Sequence, residues 1–179
     1  MLYAVAFERW GVVLGDLYFL DPEPDAGQEG AERGVRLEVR LFDRPPSPGS
    51  VYASQPISVG RPIWRADLLE SLDGPTGSYD RTHHHPQFTG WEPSARVFDE
   101  ALTADPVGWV GEQLRNPEEL LAGTGLDSGE VGRDDIAALR ASVPEILDLL
   151  DGLLRRVHSG ELATAPAIAD KTGIRSGWL

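Results

Sequence analysis

A chain of 179 residues, 41% hydrophobic and 25% charged, has the size and composition of one folded domain, with room for an appended helical lobe. It contains no cysteine, which excludes disulfides, thiolate nucleophiles and cysteine-based zinc or iron–sulfur sites. The net charge of −13 is spread along the chain: residues 1–90 carry 13 acidic and 8 basic side chains, residues 91–179 carry 16 and 8, so neither half has the cation surplus that phosphate binding needs.

The apolar runs all fall short of the roughly 20 residues that span a bilayer, so no membrane partner is expected. The opening Met1-Leu2-Tyr3-Ala4-Val5-Ala6-Phe7 has no basic leader and passes straight into Glu8-Arg9-Trp10. It reads as a strand and not as a signal peptide, and a cytoplasmic location is the expectation.

The first half is patterned for strands. Tyr3–Trp10 and Val12–Leu20 are β-prone runs on either side of Gly11, where a hairpin turn is expected. Asp21–Gly34 is a polar loop rich in Pro, Gly and acids. Val35, Leu37, Val39 and Leu41 then alternate with Arg36, Glu38 and Arg40, the period-two pattern of a half-buried strand. Two more strands are expected over 52–59 and 63–69, and the short connections favour an antiparallel meander.

The second half is patterned for helices. Pro93 can open one that carries Val97, Phe98 and Leu102, and Asp105-Pro106 another with Trp109, Val110 and Leu114. Asn116-Pro117-Glu118-Glu119 starts a short helix that Gly123 can end, and Asp134-Asp135 opens a further one through Leu139. Ser142-Val143-Pro144-Glu145 has the form of a capping box and starts a helix running to about His158. Its apolar residues Ile146, Leu147, Leu149, Leu150, Leu153, Leu154 and Val157 form one broad face, suited to the core, to a protein partner or to a homo-oligomer contact through 144–158. The tail 161–179 is weakly patterned and is expected to be weakly ordered, with Trp178 either docked or free. The expected fold is therefore α+β in a single domain 1–179: an N-terminal antiparallel β-meander over about 3–70, packed against a C-terminal helical half over about 93–160.

One segment concentrates functional chemistry. Asp80-Arg81-Thr82-His83-His84-His85-Pro86 holds three of the four histidines, and Gly90-Trp91-Glu92-Pro93 follows closely. In an extended chain His83 and His85 share a face about 7 Å apart at the α-carbons, while His84 points away. Two imidazoles so placed can converge on a divalent metal (Zn, Mn or Fe), with Asp80 as carboxylate ligand, Asp67 or Glu92 as general base, and Arg65, Asp67 and Asp73 able to contribute from a neighbouring strand and its turn. Alternatively the histidines are solvated or anchor a loop. Arg65 and Asp67 share one face of their strand, opposite Trp64, Ala66 and Leu68, either as a cross-strand salt bridge or as a polar pocket floor. Trp91 can anchor the loop or line a ligand pocket.

No phosphate loop, dinucleotide fingerprint, nucleophile elbow or His-Glu-x-x-His is present. Two classes of function remain: a noncatalytic partner- or ligand-binding protein of adaptor or immunity type, and a small metal-dependent enzyme, a hydrolase, built on the His83/His85 loop. For both, titration with duplex DNA or RNA near physiological salt is expected to show no tight, steeply salt-dependent binding.

Overall fold

The computed structural model describes residues 1–126, 131–166 and 174–177. Strands β1 (Leu2–Ala6), β2 (Trp10–Leu20), β3 (Ala31–Asp43), β4 (Ser58–Ser71) and β5 (His83–His85) lie side by side in chain order, each antiparallel to the next. A hairpin of two short strands, β6 (Phe88–Thr89) and β7 (Glu92–Pro93), stands apart from this sheet. Helices α1 (Glu100–Ala104), α2 (Pro106–Arg115), α3 (Pro117–Thr124) and α4 (Arg133–His158) follow. A last strand, β8 (Ile174–Gly177), pairs with Leu17–Leu20 of β2, on the edge that β1 occupies further along. The α+β architecture expected from the sequence is the one found. Among the described residues no helix is long and apolar enough to cross a membrane.

The helices cover one face of the sheet only. Val12 and Leu14 of β2, Val35, Leu37 and Val39 of β3, and Trp64, Ala66 and Leu68 of β4 form the apolar floor. Leu102, Val110, Leu114 and Leu121 pack onto it together with Leu139, Val143, Ile146, Leu150 and Val157 of α4. The broad apolar face of α4 is thus buried against β2, β3 and α2. Strand β5 is finished on its free side by residue Val97, which exchanges two backbone hydrogen bonds with His84 at 2.9 and 3.0 Å.

Four local expectations are corrected. The first hairpin turns at Phe7–Arg9 and not at Gly11, which lies inside β2 where a Cβ would meet the Val5 carbonyl oxygen at 2.5 Å. Carboxylate oxygens of Asp135 hold that turn by accepting from the backbone N–H groups of Glu8 (3.1 Å) and Arg9 (2.7 Å). The strand expected over 52–59 is not formed before Ser58, and its last two residues belong with the one expected over 63–69 to a single strand, β4; Pro62, which cannot donate to a ladder, is absorbed by register shifts opposite Arg40. Pro93 belongs to β7, and the next helix starts instead at Asp99, whose side chain accepts from Ala101 and Leu102.

Finally, the helices expected to open at Asp134 and Ser142 are one, α4, with Pro144 inside it. Ile136, Leu139 and Val143 are buried in helical phase with Ile146 and Leu150, and that packing outweighs the backbone hydrogen bond Pro144 cannot make. Trp178 lies outside the described residues. Because Leu150 is fully enclosed between α4 and the sheet, Leu150→Ala should lower unfolding free energy by about 2–5 kcal/mol in urea titrations. An unchanged midpoint would contradict the packing of α4.

Candidate functional site

The sheet face turned away from the helices is charged. Its composition follows from the same alternation that builds the core: if Val35, Leu37 and Val39 point to the helices, Glu32, Arg36, Glu38 and Arg40 point the other way. Strand register then matches charges across neighbours. Arg36 lies opposite Asp67, Glu38 opposite Arg65, and on the next strand His83 lies opposite Asp67 and His85 opposite Arg65. His84, on the helical face, is 5.0 Å from Trp109 between ring centres.

Asp67 is the centre of this face and only 1% exposed. Arg36 grips it with two bonds, Nε to Oδ1 at 2.6 Å and a terminal nitrogen to Oδ2 at 3.0 Å. Arg65 Nε stands 3.0 Å from Oδ2, and His83 Nε2 and His85 Nε2 stand 3.4 and 3.7 Å from the same oxygen. Burial by itself raises the carboxyl pKa, but the two guanidiniums outweigh it and hold Asp67 well below the usual carboxylate range. Further along, Glu38 accepts from Arg40 Nε at 2.7 Å and lies 3.9 Å from Arg65. Glu32 pairs with Arg96 at 3.1 Å, which ties residues 94–98 and the β2–β3 loop over the end of the face, since Arg96 also donates to Gln28.

The histidines are held from behind. Nδ1 of His83 lies 2.8 Å from the Arg81 carbonyl and Nδ1 of His85 lies 2.6 Å from the Ser94 carbonyl. A carbonyl oxygen can only accept, so both Nδ1 atoms carry a proton; Nε2 of His85 accepts from a terminal nitrogen of Arg65 at 2.8 Å, and Nε2 of His83 faces Asp67 Oδ2. Burial and then the Arg65 charge push the His85 pKa down to about 4. Burial also lowers that of His84.

Beside this network lies a cavity of about 500 Å³. Leu2, Ala4 and Val13 form an apolar wall, Arg36, Glu38, Arg40 and Arg65 a charged floor, and Phe88 and Trp91 of the β6–β7 hairpin a rim. Trp91 is 62% exposed, and its ring centre is 5.5 Å from the Arg40 guanidinium carbon; Arg65 is 5.7 Å from the ring centre of Phe88.

Of the residues the sequence singled out, Asp67, His83, His85 and Arg65 meet in one cluster, and Trp91 borders the adjoining cavity. Asp80 lies elsewhere: exposed, it accepts from the Ser71 backbone at 2.9 Å and from the Ser78 hydroxyl at 2.7 Å. Glu92 is exposed on β7. Sequence reasoning passed over Arg36, Glu38 and Arg40 as the solvent side of β3. The signal was available in the two parallel readings, since β3 and β4 both put alternating charges on one face. Comparison with protein-family models, curated proteins and solved structures finds no match to this chain.

The lowered pKa of His85 fixes a stability window. The unfolded chain takes up this proton near pH 6.5 and the folded chain only near pH 4. The contribution is therefore complete above about pH 6.5 and is lost progressively as pH falls toward about 4. Urea midpoints measured in EDTA should fall over that window, and His85→Gln should flatten the slope. An equal slope in wild type and variant would show that His85 titrates normally. Asp67, with its carboxyl held down, contributes stability that is complete above the ordinary aspartate range and is lost progressively as pH falls below that range toward the lowered folded value.

Proposed function

We propose that the protein is a noncatalytic binding protein whose cavity over β3 and β4 takes a small organic anion, a carboxylate or phosphate carried on a flat apolar body. The observation behind this is a charge imbalance. The side chains of Arg36, Arg40 and Arg65 are only 12–13% exposed, and they meet two carboxylates, Glu38 and Asp67. The cavity lining thus holds four arginines, Arg36, Arg40, Arg65 and Arg175, against one carboxylate, Glu38, a local excess of positive charge in a chain whose net charge is −13. Removing such a charge from water is costly, and an anion bound in the cavity would offset that cost.

The rest of the lining supports a ligand with an apolar part. Leu2, Ala4, Val13, Val59 and Pro62 offer surface to it, and Trp91 can stack on a ring. The helix face over 144–158, which the sequence offered to a protein partner, is largely spent in the core. The metal-dependent hydrolase, the other class the sequence left open, draws its support from Asp67, His83 and His85 and none from Glu92.

Thermal shift and calorimetry with benzoate, phenyl phosphate and indole-3-carboxylate test the reading, with benzamide as the neutral counterpart and inorganic phosphate as the anion without a body. An organic anion should raise the unfolding temperature where benzamide does not. Arg40→Gln should weaken binding about tenfold, the scale of one charge-assisted hydrogen bond, and Trp91→Ala should weaken the ring-bearing anions more than inorganic phosphate. Failure of every anion to bind, or equal binding of benzamide, would sink the proposal.

A further inference from the structure

The two buried histidines are more than the cavity needs. We propose that Asp67, His83 and His85 form a site for one divalent first-row transition ion, with zinc the best fit, and that in the metal-free protein the guanidinium of Arg65 holds the ion's place. The inference rests on the geometry of this group and stands whether or not the cavity takes an anion.

Three observations carry it. First, one ligand atom from each residue lies within 4.8 Å of the other two, and all three residues are buried. The Nε2 atoms of His83 and His85 are 3.4 and 3.7 Å from Asp67 Oδ2. Bonds of 2.0–2.1 Å in a tetrahedron put ligand atoms about 3.4 Å apart, so the group is close to coordinating distance without backbone movement. Second, both rings are oriented as metal ligands usually are. Each Nδ1–H donates to a backbone carbonyl, Arg81 for His83 and Ser94 for His85, which makes Nε2 the ligand atom and fixes the ring plane.

Third, a cation already sits among them, and it is poorly seated. A terminal nitrogen of Arg65 reaches His85 Nε2 at 2.8 Å. Its Nε is buried and 3.0 Å from Asp67 Oδ2, yet out of line, so that N–H makes no hydrogen bond. Burial lowers the Arg65 pKa, Asp67 opposes that, and the Arg36 charge adds to the lowering. Arg36, by contrast, makes two well-formed bonds to Asp67. Lone pairs from two imidazoles and a carboxylate call for positive charge at their centre, and a guanidinium on a neighbouring strand supplies it imperfectly. The side chain of Arg65 can swing toward the cavity it already lines, whereas Asp67 stays anchored by Arg36.

Like charges exclude one another at this distance, so ion and guanidinium compete for the place. That competition gives the proposal its distinguishing test. Purified, untagged protein is treated with EDTA, dialysed, and titrated with Zn²⁺ by calorimetry and with Co²⁺ by visible absorption, circular dichroism confirming the fold of each variant. One equivalent should bind wild type. Arg65→Ala, or Arg65→Gln should the first not fold, should bind at least about tenfold more tightly, because a competing positive charge is gone.

His83→Ala and His85→Ala should each lose the equivalent and the absorption bands of low-coordinate cobalt. His84→Ala, on the helical face, and Asp80→Ala, in the turn, should keep both. Uptake by the Arg65 variants alone would still support the site, with Arg65 as the stronger competitor. Binding by neither wild type nor Arg65 variants overturns it, as does uptake that survives in His83→Ala and His85→Ala or that is lost equally in His84→Ala.

Discussion

The bidentate pair between Arg36 and Asp67 is the constraint on which the rest of this sheet depends. The two residues are partners across β3 and β4, on the face without helices. A slip of one residue in either strand would carry a charged side chain into the apolar floor and bring Val35, Leu37 or Val39 to the charged side. Removing Asp67 alone would take the bidentate partner from the buried Arg36 charge, at a cost of about 3–5 kcal/mol. The pair therefore reinforces the register that the apolar side requires. Core packing says which face is which; the ion pair says which residue stands beside which.

A sheet with helices on one side commonly leaves the other face wet and its charges screened. Here that face is closed down. The β2–β3 loop and residues 94–98 are tied across it through Arg96, and the β6–β7 hairpin borders what remains open. Glu32, Glu38, Asp67, His83 and His85 are consequently almost out of water, and each interacts with a cation or a backbone carbonyl. Buried polar networks of this density add little net stability compared with apolar packing of the same volume. Beyond the register that Arg36 and Asp67 set, their presence beside a cavity fits the anion site proposed for it.

Much of this was legible in the sequence, and the remainder was hidden for identifiable reasons. Period-two alternation in β3 was plain, as was the shared face of Arg65 and Asp67, and the division of His83 and His85 from His84 followed from extended geometry. The third member of the histidine cluster could not be singled out: Asp67 was one candidate beside Asp80 and Asp73. Asp80 is three residues from His83, and a chain extended throughout would have kept it near. Instead the segment turns: Tyr79 adopts φ 51°, Asp80 binds back to Ser71 and Ser78, and the Thr82 hydroxyl bonds both the N–H and the C=O of Leu69. That turn sets the register of β5 on β4 and so delivers Asp67 to the imidazoles. Cross-strand register of this kind is a property of two segments and their connection, and no periodicity within one of them encodes it. In α4 the local signal misled in the opposite sense, because Ser142-Val143-Pro144-Glu145 resembles a helix start while the core requires one helix through it.

Arg65 is where the two chemistries of this face meet. It lines the cavity with Arg36 and Arg40 and also reaches Asp67 and His85 behind them. With the guanidinium turned inward, it neutralises the Asp67–His group and contributes less field to the cavity. Turned outward by an ion at the group, it would add its full charge to the cavity wall, beside an ion that itself carries two. An anion in the cavity and a cation behind it would then favour one another, since each lowers the electrostatic cost of the other in a site poor in water. The coupling would run through a single side chain with two positions. It needs no movement of the sheet, whose register Arg36 and Asp67 keep in either state.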